Sequence, residues 1–191
     1  MKRNIVVAAV TAAALIGGGT ATALAVTGDD DRDEPRIAAA DATASDALAA
    51  ALRHTPGTAV SAGLEDADDE GGKAAWEVDV LAGDGTWHSV RVDPATGEVL
   101  GSRTDTEDDD TAEVRAALKG TSVTAAEAAR AASAKGTVTS VDLDDDGRSA
   151  TWEAETRSGG GAERDWTVDP DTGKVTADRA DDDSDDDSDD D

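Results

Sequence analysis

The sequence predicts an α+β fold: two small repeated units, each one helix packed on a three- to four-stranded antiparallel sheet, with disordered acidic linkers and tail. Three observations predict it. Val92-Asp93-Pro94-Ala95-Thr96-Gly97-Glu98-Val99 recurs as Val168-Asp169-Pro170-Asp171-Thr172-Gly173-Lys174-Val175. Trp76 and Trp152 each lie 17 residues before the Asp of their turn, so the preceding hairpins match in length. Upstream, Ser45, Gly57-Thr58 and Leu64 align with Thr124, Gly136-Thr137 and Leu143 at a constant offset of 79. A fixed internal offset marks a duplicated structural unit.

Residues 1 to 25 read as a signal peptide. Lys2 and Arg3 precede the apolar run Ile5 to Ile16, and Ala23-Leu24-Ala25 supplies a small-residue cleavage site. The run is short and broken by Gly17 to Gly19, unlike the roughly 20 apolar residues that span a bilayer. Export predicts a secreted or envelope location with no stable membrane insertion after cleavage. Residues 26 to 36 form an acidic spacer.

The first unit, residues 37 to 102, opens with a helix whose stripe is Ala44, Ala47, Leu48, Ala51 and Leu52, with Ser45 expected as its cap. Period-two strands follow, with Val60, Ala62 and Leu64 and then Trp76, Val78 and Val80 directed inward. Gly83-Asp84-Gly85 turns the chain into a third strand with Val90 and Val92 on the core face. In the Val-Asp-Pro turn, proline removes a backbone donor and Thr-Gly supplies the freedom to reverse direction.

Residues 103 to 111 read as a charged linker permitting relative motion. The second unit, residues 112 to 178, begins with a short helical segment carrying Val114 and Leu118. Thr124-Ala125-Ala126-Glu127 then has the spacing of a capping box. Its strands place Thr139, Val141 and Leu143, then Trp152, then Trp166 and Val168 inward. Residues 179 to 191 are a poly-Asp tail that cannot form a core.

Composition narrows the function classes. The 191 residues include 17 basic and 44 acidic side chains, a formal net charge of −27. Removing residues 1 to 25 takes two basic residues and no acid, giving 15 − 44 = −29. Such a field disfavours nucleic acid and anionic lipid and favours cations and basic proteins. Zero cysteine excludes disulfide staples and thiolate chemistry. Two histidines, His54 and His88, are too few for a zinc site built on three protein ligands, and no nucleophile pattern accompanies them. The expectation is no enzyme activity, no catalytic residue and no resident cofactor.

Two local patterns carry binding chemistry. Asp142, Asp144 and Asp146, followed by Gly147 and Glu153, satisfy the spacing of a calcium loop, which makes Ca2+ the candidate cation. Their flanks are strand-like rather than helical, and a solvated hairpin turn is the competing reading. Trp87 and Arg91 have the strand phase opposite to Val90 and Val92, which makes them a candidate partner-binding surface.

The Ser-x-Ala-x-x-Ala helix, the Trp76-Glu77-Val78-Asp79-Val80 strand, the glycine turn and the Val-Asp-Pro-x-Thr-Gly-x-Val element together resemble the PepSY domain. The resemblance covers residues 37 to 102 and 112 to 178. It implies a non-enzymatic exported protein with a protein partner, in this case a peptidase of the extracellular space or cell surface that it restrains. PepSY domains accompany thermolysin-type metalloproteases as propeptides, and no ligand residues are carried over with the resemblance. The alternative is an acidic envelope protein that binds divalent cations through its Asp-rich turns and tail.

Overall fold

The computed structural model describes residues 41–65, 73–105, 111–145 and 150–178. The signal peptide, the spacer, Asp146 and the poly-Asp tail lie outside the described residues.

The first repeat comprises α1 (Ala44–His54), β1 (Thr58–Glu65), β2 (Ala75–Leu81), β3 (Trp87–Val92) and β4 (Val99–Asp105). A connecting helix, α2 (Thr111–Lys119), leads to the second repeat: α3 (Ala125–Ala132), β5 (Thr137–Asp145), β6 (Ala150–Arg157), β7 (Glu163–Val168) and β8 (Val175–Ala177). Both repeats contribute to a single eight-stranded sheet, ordered β4-β3-β2-β1-β5-β6-β7-β8. Every described pairing is antiparallel.

The seam between repeats is β1 against β5, where Ser61, Ala62 and Gly63 face Asp142, Val141 and Ser140. The linker therefore does not confer the independent motion that its composition predicts. A backbone ladder joins the repeats, and α1 lies beside α3, with Ser45 Oγ donating to the Ala126 carbonyl at 3.3 Å. That bond also corrects the expected cap. Thr43 starts α1, accepting from the Asp46 amide while Asp46 accepts from Thr43, and α3 repeats the box with Thr124 and Glu127.

The two helices cover one face of the sheet. Between them and the strands, Leu48 of α1 and Trp76, Val78, Val80, Val90, Val92, Val141, Trp152 and Val168 of the sheet are fully buried. Alanines on the helices let them approach the strands closely, and the two tryptophans supply most of the bulk. Each indole is anchored identically: Trp76 Nε1 donates to the Ala42 carbonyl at 3.0 Å, and Trp152 Nε1 to that of Val123 at 2.9 Å. A register irregularity between Ala59 and Ser61 turns both Ala59 and Val60 into the core, and β5 has a counterpart between Val138 and Ser140.

The duplicated turn holds each helix entry to the sheet. The Asp93 carboxylate accepts from the Ala95 and Thr96 amides, and Asp169 does so from Asp171 and Thr172. Gly97 and Gly173 sit at φ 71° and 69°, a conformation open to glycine and costly for other residues. The carbonyl left outside the turn by the proline then receives the helix lead-in: Pro94 from the Ala42 amide, Pro170 from those of Ser122 and Val123.

Candidate functional site

The face of the sheet opposite α1 and α3 is where the polar side chains collect. Because side chains alternate along each strand, the register predicts which residues share this face. One row crosses all eight strands: Arg103, Ser89, Asp79, Ser61, Asp142, Glu153, Thr167 and Thr176. Beside it runs a second: Gly101, Arg91, Glu77, Gly63, Ser140, Glu155 and Asp165. Carboxylates occupy the centre, at the seam between repeats, and two arginines occupy the β3–β4 end.

Burial and mutual repulsion raise the pKa of the central acids. Asp142 is pushed up to about 6, first by burial and then by the negative charges of Asp79, Glu153 and Glu155, against a stabilising bond from Ser140. Solvent still reaches the Asp142 side chain and screens part of that repulsion. Asp79 is also raised, chiefly by burial, although the Ser61 hydroxyl donates to it at 2.9 Å. Glu77 is paired with Arg103, whose Nη2 lies 3.0 Å from its Oε1.

The described part of the calcium pattern is extended strand. Asp142 and Asp144 lie on β5, which is extended through Asp145, and Glu153 stands opposite Asp142 on β6. Extended backbone points alternate carboxylates along a face instead of closing them around an ion. Among the described residues no group of three or more His, Asp or Glu side chains is arranged to hold a metal ion.

The exposed-surface reading of Trp87 is corrected. Its strand phase is the one expected, opposite to Val90, but α2 covers that end of the face. Trp87 is 9% exposed, packs in one cluster with Val114 and Ala117, and donates from Nε1 to Thr111 Oγ1 at 2.9 Å. Arg115 of α2 also bonds the Gly83 carbonyl at 3.0 Å, so α2 caps the first repeat rather than an end of the second alone. Arg91 is exposed as expected, with Nη2 donating to the Lys73 carbonyl.

The sequence reading did not single out β4, Leu100 or the groove beside them. β4 is a seven-residue edge strand, and on it Leu100 is 51% exposed, beside a register irregularity. A groove of about 210 Å³ opens there, lined by Ser89, Arg91, Leu100, Gly101, Ser102 and Arg103. Its signal in the sequence was Leu100-Gly101, an apolar residue and a glycine ahead of the polar run Ser102 to Asp105. His54 and His88 meet only hydroxyls in the described bonds, those of Ser102 and Thr104, which is the pairing of a polar surface.

The class of the protein is set by a duplicated helix-on-sheet module, with α1 and α3 over one face and polar side chains on the other. The chain belongs to the PepSY family: the family model, described as peptidase propeptide and YPEB domain, matches it over residues 42–103 and again over 121–179. Domains of this family are regulatory or propeptide-type and occur in peptidase propeptides and inhibitors. Among solved structures, the chain is similar to a candidate lipoprotein of Clostridium difficile 630 at 23% identity, over 62% of this chain and 79% of that one, with a TM-score of 0.38. A search of curated proteins found no significant match. No helix among the described residues is long and apolar enough to cross a membrane.

Proposed function

We propose that this is a non-enzymatic, exported PepSY protein that binds an extracellular or cell-surface peptidase and restrains it. The observation that carries the reading is the pair of consecutive PepSY units, from a family found in peptidase propeptides and inhibitors. A sheet ending in the edge strand β4 supports it, since an exposed edge can pair with an extended segment of another protein.

The test is hydrolysis of a fluorogenic peptide by a thermolysin-type metalloprotease, with increasing amounts of residues 26–191. Saturable loss of peptidase activity that survives deletion of residues 180–191 supports restraint through the folded repeats. Full activity at every concentration rejects it for this peptidase class. The cation-binding alternative predicts the reverse dependence on the tail. With Asp142 and Asp144 on an extended strand, calorimetric titration with calcium in about 0.15 M salt is expected to give weak, non-saturating heat, because salt screens diffuse attraction.

A further inference from the structure

We infer that the groove at the β3–β4 end receives a carboxylate side chain carried on an extended segment of the partner, which pairs with β4. The inference rests on the peptidase-binding reading and names the chemistry that the partner presents.

Four features converge on this end of the sheet. Ser89 is 4% exposed, lies on the groove wall, and its Oγ has no partner in hydrogen-bond geometry. It sits near enough to Asp79 to help hold that charge without reaching hydrogen-bond geometry, whereas the Ser61 hydroxyl does reach it, at 2.9 Å. A buried hydroxyl without a partner costs stability, so such a group calls for an explanation. Arg91 and Arg103 supply the second feature. In the described bonds each engages Nη2, one on the Lys73 carbonyl and one on Glu77, while a guanidinium has five N–H donors. Two guanidiniums and a hydroxyl lining one groove offer donors of the kind that a carboxylate takes.

The third feature is Gly101. A Cβ there would meet nothing within 4 Å, so the space beside Arg91 is open. Glycine inside a strand weakens it, and such a position often marks close approach by another chain. Fourth, β4 is long enough to template a partner strand, whereas the opposite edge, β8, has three residues. The same face near β8 carries Thr167, Thr176 and Asp165, and its arginine, Arg157 on β6, gives both its described bonds to Glu163, so charge complementarity selects β4. The central acids Asp79 and Asp142 limit the reading to one carboxylate at the arginine end, since a second placed further in meets like charge.

The probes are three acetylated and amidated pentapeptides, Thr-Val-Glu-Val-Thr and its Gln and Lys counterparts, titrated into residues 26–191 in about 0.15 M salt and followed by amide NMR. The Glu peptide is expected to bind roughly tenfold more tightly than the Lys peptide, with shifts confined to 87–92 and 99–105. Gly101→Val, whose side chain has room, is expected to keep the fold and abolish binding. Ser89→Ala is expected to keep the fold and narrow the preference for Glu over Gln. Absence of binding, equal affinity for Glu and Lys, or shifts centred on β8 overturns the inference.

The peptidase assay separates the two readings. If Arg91→Gln/Arg103→Gln loses the Glu peptide yet still inhibits the peptidase fully, restraint stands and the groove is not its docking site. If the Glu peptide binds as expected and no peptidase is inhibited, the groove stands and peptidase restraint falls.

Discussion

Two residues on the sheet, Asp79 and Asp142, hold pKa values above 3.8, their ordinary position. Their folded-state pKa exceeds the unfolded one, so folding takes up protons above about pH 4, and for Asp142 up to about pH 6. Their contribution to stability is therefore fullest on the acid side of that window and is lost as pH rises through it. Thermal unfolding should show a midpoint that climbs as pH falls from 7 towards 5. Asp142→Asn should raise the midpoint at pH 7 and flatten the climb; an unchanged midpoint and slope would show that repulsion from Asp79, Glu153 and Glu155 is fully screened. Below about pH 4 the trend reverses, since Asp46 and Asp169 have lowered pKa values, set first by bonds from Thr43 and Thr172, and protonation removes those bonds. The indole anchors make a second residue-scale prediction. Trp76→Phe keeps most of the packing but leaves the Ala42 carbonyl without its donor, at a cost of about 1–3 kcal/mol by urea unfolding.

Among the elements, the helices show which sequence signals were legible. The Thr124-x-x-Glu127 box is read directly from the chain and forms as read. In α1 the box is Thr43-x-x-Asp46, and Asp in place of Glu disguised it in favour of Ser45. Thr43→Ala should therefore cost about 1 kcal/mol, and Ser45→Ala less, in denaturant midpoints at constant slope. Equal losses would return the capping role to Ser45. The position of α2 could not be read at all. Its apolar Val114 and Leu118 announce a helix with one buried side, but the face it covers is chosen by Trp87, 27 residues upstream of Val114 and beyond the linker. Trp87→Ala should accordingly behave as a core truncation, at about 3–5 kcal/mol, and not as the loss of a surface contact.

The whole molecule is held as one unit by the β1–β5 seam. Each repeat has only about 60 residues, a size that buries roughly 60% of its unfolded surface and is marginal alone. Residues 41–178 should unfold in one cooperative urea transition, with fluorescence and far-ultraviolet circular dichroism coincident. Two separated transitions would show that the seam is weaker than the repeats. A fragment of residues 121–179 should be less stable than the intact chain and prone to associate through the edge of β5. The repeat, the helix-and-three-strand order, the inward tryptophans and the Asp-Pro-x-Thr-Gly turn were all legible in the chain, because local periodicity and turn chemistry specify them. The shared sheet, the burial of Trp87, the extended path through Asp142 to Asp145 and the groove beside Ser89 were not. Each depends on which strand edges and faces meet, and hydrogen bonds between distant strands follow from the packing of the entire chain rather than from any local pattern.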